Sequence, residues 1–513
     1  MEKLWRTMLE SRQYGWGVLA GIVVALVLLL MARPVLDHVP IYDELLHVLA
    51  ARGLNESGEP QIAEGYYYRG FLYTRLAAEA MSHFGDTVVS ARLPAVISGA
   101  VLIALLAVWV TRLAGLLAGL ASAVFLCAIP TTLELTVFAR FYTLHAVIIL
   151  AMAMLLFAAL SRERKRWQQI VLVVLAIVLL VPAYHLQDTT LIAVGALAAG
   201  VFAVLIHDNW IVVKAFVMRR PVLTAVSVLV LLIGGCIAVV KVGLYAQLRQ
   251  GPAWASWAAD RPYEYLVRFA DNFPLLWPLF PVAVLLAWRV ERRLTIFCAA
   301  FMLSALFVHS IAAAKSMRYI YYLFPMVCAI WGCGLAGALR LWGPSFLPAK
   351  LALIALVFVV SHEGQRMAKA ALGRSKPIEV LSYAVESDWK PAVTVLQPLV
   401  SSADRVVTSN AMKSLFYFGR YDYELNESIV YETDTQQDFG KDERTGMKAI
   451  GAAASIAKVI DSPGSTVVVL EQETIGSTAG VSADAVAAIE ARCKVVSLKE
   501  QSGLRAWTCH EAG

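Results

Sequence analysis

A chain of 513 residues with 59% hydrophobic and 16% charged residues is too apolar for a soluble globule, which carries about 45–50% apolar and about 25% charged residues. A formal net charge of +6 is small for a nucleic-acid binder, and basic residues grouped between apolar runs are explained by the positive-inside rule. The composition predicts a polytopic helical membrane protein and no nucleic-acid partner.

A membrane-spanning helix needs about 20 apolar residues, which divides the first 361 residues into about eleven candidates. They lie near 15–35, 92–111, 115–131, 141–160, 167–183, 189–206, 221–241, 273–288, 294–313, 319–339 and 350–361. Lys3, Arg6 and Arg12 precede the first run and no small-residue cleavage site follows it, so it reads as a retained signal anchor. Arg162, Arg164, Lys165 and Arg166, then Lys214, Arg219 and Arg220, then Arg289, Arg292 and Arg293 fall in alternate loops. Those loops and the N-terminus are expected in the cytoplasm, and an odd number of spans then puts residues 35–90 and the C-terminal tail outside it.

The outer segment opens with VPIYDELLHVLAARGLNES, where adjacent carboxylates Asp43 and Glu44 follow the first span. Asp43 reads either as a helix N-cap after Pro40 or as a general base at the membrane surface. A helix running to about Leu54 would place Asp43 and His47 one turn apart on one face. GYYYRGFLYTRLAAEAMSHFG then reads as an amphipathic helix in the headgroup layer, with Arg69 and Arg75 either meeting lipid phosphates or anchoring the interface.

In LELTVFARFYTLH, between the third and fourth spans, Arg140 is costly to place in hydrocarbon and needs Asp43, Glu44 or a ligand phosphate as partner. His145, one turn on, reads as a buried polar residue. His185 and Asp188 in PAYHLQDTT are half of a metal-ligand set without a third member. The segment 242–272 interleaves Trp254, Trp257, Tyr263 and Tyr265 with Arg249, Arg261 and Arg268, which suits sugar stacking near a donor or an interfacial helix. In HSIAAAKSMRYIYYLFP, Lys315 and Arg318 would point the same way from one helical turn, either holding a phosphate or snorkelling to headgroups.

From about 362 the apolar runs give way to alternating helical and strand patterns, among them a helix near 445–461 leading to the strand STVVVLEQ, which predict a small α/β domain without a GxGxxG or P-loop fingerprint. Cys127, Cys236, Cys298, Cys328 and Cys333 fall in apolar runs, whereas Cys493 and Cys509 flank a strand-turn-strand pattern in the polar tail. If that tail is outside the cytosol, the latter two are candidates for one disulfide.

The Asp-Glu pair, the helix LLHVLAARGL behind it, SARLPAVISGAVL and KSMRYIYYLFP, in this order against the spans, resemble the GT-C membrane glycosyltransferases over roughly residues 15 to 340. The branch most similar is that of protein O-mannosyltransferases and lipid A aminoarabinose transferases. The resemblance implies a GT-C-like catalytic module over 1–361 and an extracytoplasmic α/β domain over 362–513, in a bacterial plasma membrane. It implies inverting transfer of a sugar from a polyprenyl phosphate, undecaprenyl or decaprenyl, to a glycan, glycolipid or protein acceptor. Asp43 would be the base, Glu44 would orient the acceptor or Arg140, and Lys315, Arg318 and Arg140 would hold the donor phosphate. His47, Tyr68, Arg69, Arg261 and Tyr319 are the candidate substrate-binding residues.

One departure bears on metal binding. Many GT-C enzymes carry an acid just before the Arg-X-Tyr element, but here Phe138 and Ala139 precede Arg140 and leave Glu134 as the nearby carboxylate. No metal ligand is therefore assigned, although the resemblance leaves a divalent metal open as cofactor. The competing reading is a polyprenyl-lipid transporter or flippase, which usually shows repeat symmetry and broken helices at the midplane. Here the charged residues concentrate in outer loops.

Overall fold

Long apolar runs become helices because in hydrocarbon only a helix satisfies its backbone groups within its own segment. The computed structural model describes residues 2–223, 226, 261–312, 314–341, 349, 350, 352, 387–426, 439–442, 444–476, 480–498 and 503–509. Among them, 7 helices are long and apolar enough to cross a membrane, or 8 if one bent pair counts as a span. The 7 are Gly15–Val35, Val88–Ala114, Tyr142–Ala159, Arg166–Leu186, Thr190–Asp208, Arg292–Ile311 and Met317–Leu341, each within a few residues of an expected span.

The differences have local causes. Leu116–Ala128 and Pro130–Thr136 meet at 69° because Pro130 offers no amide hydrogen and holds Ile129 in the extended region, at φ −70° and ψ 120°. Where a span was expected near 273–288, Pro274, Pro278 and Pro281 delay the helix, which covers only Phe280–Val290. The spans expected near 221–241 and 350–361 fall almost wholly outside the described residues, as do Arg249, Trp254 and Trp257. The described residues thus carry fewer spans than the eleven or so expected.

The chain divides into two compact units. The first holds Met1–Val35, Ala95–Val137 and Phe141–Leu381. Its most enclosed helix is Phe324–Leu341, and small residues are what allow that enclosure. A Cβ on Gly332 would strike the Ser122 hydroxyl and come within 2.6 Å of the Ala118 carbonyl, so the two helices touch backbone to backbone. On the same helix, Gly334 and Gly337 face the Ala283 and Leu286 carbonyls, each 2.8 Å from a built Cβ. At one end of this unit three loops are tied together. Arg293 pairs with Asp208 at 2.9 Å and donates to the Leu160 carbonyl, while Arg162 donates to the Asp208 carbonyl.

The second unit holds Leu36–Pro94, Phe138–Arg140 and Ser382–Gly513, so the segment with the acidic pair groups with the C-terminal residues. It contains a short hairpin, β1 (Gln61–Ile62) with β2 (Gly65–Tyr66), and a 7-stranded sheet. The sheet strands are β3 (Arg405–Thr408), β4 (Tyr423–Leu425), β5 (Phe439–Lys441), β6 (Lys448–Ile450), β7 (Thr466–Glu471), β8 (Lys494–Val496) and β9 (Leu504–Cys509). Their order is β5-β6-β4-β3-β7-β9-β8, parallel from β6 to β7 and antiparallel at both edges. β7, TVVVLE, which pairs parallel with β3 and antiparallel with β9, is buried along its whole length, as expected of a central strand covered on both faces. Its core includes Val407, Leu425, Ile450, Val468, Leu470 and Trp507. Cys493 and Cys509 are joined by a disulfide beside β8 and β9.

Three expectations for this unit are revised. The tyrosines Tyr66, Tyr67 and Tyr68 do not lie on an interfacial helix, because the chain turns through the hairpin and the helix begins only at Phe71 after Gly70. That helix, Phe71–Phe84, buries Tyr73, Thr74, Ala77, Ala78 and Met81 against protein. Where one helix was expected over 445–461, β6 precedes a shorter helix, Ala453–Ile460.

β4 places Glu424 in the interior, where it accepts a backbone hydrogen bond from Ala411 while its Oε2 has no hydrogen-bond partner among the described residues. Burial, reinforced by the nearby Asp442 carboxylate and only partly offset by Arg444, pushes its carboxyl up from 4.5 to about 8.

Two outcomes are expected. Gly332→Leu should lower the thermal stability and yield of the detergent-solubilised protein, whereas Gly195→Ala, with nothing within 4 Å of its Cβ, should not. The second concerns pH. Folded Glu424 keeps a proton that the unfolded chain releases, so its contribution to stability should be complete below pH 4.5, fall as pH rises and level off above about 8. Melting temperatures of wild type and Glu424→Gln across that range should converge at the acid end and separate toward pH 8, the Gln variant losing less.

Candidate active site

The acidic helix, Tyr42–Ser57, starts after the extended residue Ile41 that follows Pro40 and stops at Gly58, whose left-handed φ of 82° lets its amide donate to the Leu54 carbonyl. Its N-cap is Ile41, not Asp43. Ile41 has no side-chain acceptor, so the cap works in one direction: the Ile41 amide donates to Glu44 Oε2 at 3.2 Å. Asp43 and Glu44 both sit in the first turn, where the exposed amides of the helix favour negative charge.

The two carboxylates have different surroundings. Glu44 is fully buried, and Arg92, from the SARLPAVISGAVL helix, grips it with two parallel bonds, Nε to Oε1 and Nη2 to Oε2, both at 2.7 Å. The Ala139 amide adds a third bond to Oε1 at 2.8 Å. Burial on its own would raise the Glu44 pKa, but the Arg92 charge together with the hydrogen bonds from His38 and Arg92 outweighs it and holds the carboxyl below the ordinary range. Arg92 also donates to the Leu36 and His38 carbonyls and to His38 Nε2. One ion pair thus fixes the segment before the helix, the helix start and the Phe138–Arg140 stretch together.

Asp43 keeps 29% of its side chain exposed. Arg140, buried except for 3% of its side chain, donates from Nη1 to the Asp43 carbonyl at 2.7 Å and stands 3.5 Å from its Oδ1. The cation that the sequence left between an acid and a ligand phosphate is therefore on Asp43. Glu44, expected to orient Arg140 or an acceptor, has its three bonds to Arg92 and Ala139 and a fourth to Ile41.

His47, expected beside a substrate, is fully buried. Its Nδ1 is 2.8 Å from the Thr74 hydroxyl, and its ring meets Tyr67 and Tyr73 edge to face at 5.2 Å. Burial first, then the charges of Arg140 and Arg69, lower its pKa well below the usual histidine value, so it packs as a neutral ring. Tyr68 and Arg69 are exposed, and the Tyr68 hydroxyl donates to Glu59 Oε2 at 2.9 Å while its ring stacks on Tyr66.

In the first unit, Lys315 and Arg318 do not share a helical turn as expected. The helix Arg292–Ile311 ends at Ala312, Ser316 is extended at φ −148°, and Arg318 lies on a following 3-10 turn, Met317–Leu323. Lys315 is buried and its Nζ donates to the Ala312 carbonyl at 2.6 Å, while the Arg318 guanidinium lies over the Tyr319 ring at 5.3 Å. Tyr265 joins this break, its hydroxyl donating to the Ser316 carbonyl. Arg261 is exposed, Glu134 is buried, and His145 is 2.9 Å from the Thr190 hydroxyl. Among the described residues, no group of three or more His, Cys, Asp or Glu side chains is disposed to hold a metal ion.

Arg92 was not among the candidates. Its signal was a lone arginine at the head of an apolar helix, which demands a partner. Nothing in the sequence indicated His38 or the Ala139 amide.

No protein-family model matches the chain, and no curated protein matches it. Among solved structures it is similar to ArnT from Cupriavidus metallidurans bound to undecaprenyl phosphate, at TM-score 0.62 and 15% identity over 96% of this chain and 98% of that one. The apo state of that protein gives a TM-score of 0.61 over the same shares and at the same 15% identity. The archaeal oligosaccharyltransferase AglB from Archaeoglobus fulgidus, in complex with an inhibitory peptide and a dolichol-phosphate, gives 0.59 at 12% identity over 90% of this chain and 70% of that one. The fold is GT-C-like.

The unequal surroundings of the two acids should separate their variants by stability alone. Glu44→Gln leaves Arg92 buried without its counter-charge and should cost about 3–5 kcal/mol in an equilibrium unfolding measurement. Asp43→Asn keeps the backbone carbonyl that Arg140 Nη1 binds and removes a partly exposed carboxylate 3.5 Å from it, so it should cost no more than about 1 kcal/mol.

Proposed function

We propose that this chain is a membrane glycosyltransferase that moves a sugar from a polyprenyl-phosphate donor to a hydroxyl acceptor outside the cytosol, with inversion at the anomeric carbon. The observation that carries this reading is the division of labour between the adjacent acids. Glu44 is bound on every side by protein donors, which leaves Asp43 as the exposed carboxylate, held from behind by Arg140. The GT-C-like fold supports the donor class, since the similar structures are described with undecaprenyl phosphate and dolichol-phosphate bound.

In the proposed step Asp43 takes the proton of the acceptor hydroxyl as that oxygen attacks the anomeric carbon. The bond from that carbon to the phosphate oxygen breaks, and polyprenyl phosphate leaves with the electron pair. Arg140 keeps Asp43 oriented through its bond to the Asp43 carbonyl and its proximity to the carboxylate. Lys315 and Arg318 are assigned to the leaving phosphate, Lys315 as a point charge and Arg318 as a planar fork backed by Tyr319. Glu44 is a positioning residue. Tyr68, Arg69, Arg261 and Tyr319 remain candidates for substrate contact, and the acceptor class is a glycan, glycolipid or protein. The disulfide between Cys493 and Cys509 and the basic loops tied together at Asp208 support a C-terminal domain on the extracytoplasmic side of a plasma membrane.

Asp43→Asn is the variant that tests this assignment. It should fold and bind a polyprenyl-phosphate sugar as wild type does, while transfer falls by about 10² to 10⁴, the usual contribution of a positioned base. A native transfer rate in that variant would remove Asp43 from the chemistry.

A further inference from the structure

The turn between β5 and β6 closes on the start of the acidic helix. Asp442 shapes this turn, its Oδ1 accepting from the Arg444 amide at 3.1 Å and from Arg444 Nε at 3.0 Å, and its Oδ2 accepting from the Thr445 hydroxyl at 3.1 Å. The Tyr421 hydroxyl, from the sheet side, lies 2.7 Å from the Thr445 hydroxyl and anchors the turn to the domain. The turn therefore presents Arg444 from a fixed base.

What Arg444 meets is Tyr42, the first residue of the acidic helix and the neighbour of Asp43. Its guanidinium lies over the Tyr42 ring at 5.4 Å. The same turn also meets the β1-β2 hairpin, where the Glu64 amide donates to the Thr445 carbonyl at 2.8 Å. Glycines on both sides permit this approach. A Cβ on Gly65 would strike the Arg444 carbonyl, and one on Gly446, which holds a left-handed φ of 70°, would come within 2.9 Å of Glu64.

We propose that this turn of the C-terminal domain sets the orientation of Asp43, with Arg444 as the positioning residue that acts through Tyr42. The inference gives the domain a role in the reaction, and its catalytic half rests on the assignment of Asp43 as the base. The physical reason is leverage. Tyr42 is at the N-terminus of the helix, where backbone amides lack intrahelical partners, so the first turn is held by its side chains, Glu44 on Arg92 and Tyr42 under Arg444. A cation held over its ring fixes that turn, and displacing a catalytic group by about 1 Å can cost on the order of 10²-fold in rate.

Two measurements on Arg444→Ala and Arg444→Lys in the full-length protein test it. The first is amide hydrogen exchange without substrate. Arg444→Ala should speed exchange over residues 42–48 by about tenfold while β3 and β7 keep native protection. Arg444→Lys, which keeps the charge beside Asp442 but not the fork, should give a smaller change of the same kind, and it serves if the Ala variant does not fold. The second is transfer kinetics, where kcat should fall by about tenfold with the donor KM unchanged and recover in part in Arg444→Lys. Unchanged protection over 42–48, or loss of protection spread over the whole domain, would overturn the proposal. Because exchange is read without turnover, a failure of the enzymatic reading appears separately, as altered exchange in a protein that transfers no sugar.

Discussion

The buried pair between Glu44 and Arg92 is the interaction on which the start of the acidic helix in the second unit depends. Both side chains are wholly removed from solvent, and such a pair is tolerated only when its geometry is good and its remaining lone pairs and protons are satisfied. Here the fork is bidentate, and the Ile41 and Ala139 amides and the Leu36 and His38 carbonyls complete the set. The consequence is geometric. Three stretches far apart in sequence, around Leu36, Tyr42 and Phe138, are held to one point, and the next residue along, Asp43, inherits a defined position with one side toward solvent. The second acid of the motif thus fixes the backbone that carries the first.

How much of this was legible in the sequence varies with how local each feature is. Spans were readable because hydropathy over about 20 residues is a strong signal, and their observed limits lie close to the expected ones. Helix breaks were harder. Pro130 announced one, but the extended residues before Met317 separate Lys315 from Arg318 without any proline between them. In the tail, the buried strand TVVVLE was plain, whereas the three-residue strands β4, β5 and β6 carry too little pattern to be seen. At the site, Asp43 and Arg140 could be suspected as partners because a cation near hydrocarbon needs one. The distinction between Asp43 and Glu44 could not, since it is made by Arg92, 48 residues away. His47 is a similar case: helical spacing put it one turn from Asp43, while its enclosure by Thr74, Tyr67 and Tyr73 comes from elements that spacing does not reveal.

The grouping of Leu36–Pro94 with the C-terminal residues follows from the cost of burying loop backbone. A connection rich in polar groups must find donors and acceptors somewhere, and the turn between β5 and β6 supplies them to the hairpin at Glu64. Close approach of two backbones needs missing side chains, which Gly65 and Gly446 provide. A second contact, the Arg52 guanidinium over the Phe416 ring at 4.6 Å, holds the middle of the acidic helix to the same domain. The domain thus serves as a frame for the acidic helix, and its own buried ion pair, Lys413 with Glu471 at 2.8 Å, is satisfied internally by Trp389, Asn410 and Ser387.

Product formation tests the central claim most directly. The purified full-length protein, reconstituted in lipid with an acceptor extract and a panel of polyprenyl-phosphate sugars, should release free polyprenyl phosphate from at least one of them, in step with sugar transfer and only while Asp43 is present. Saturable binding or transbilayer movement of the same lipids, with the sugar still attached at every time point, would contradict the account and identify a carrier of the donor instead of an enzyme that consumes it.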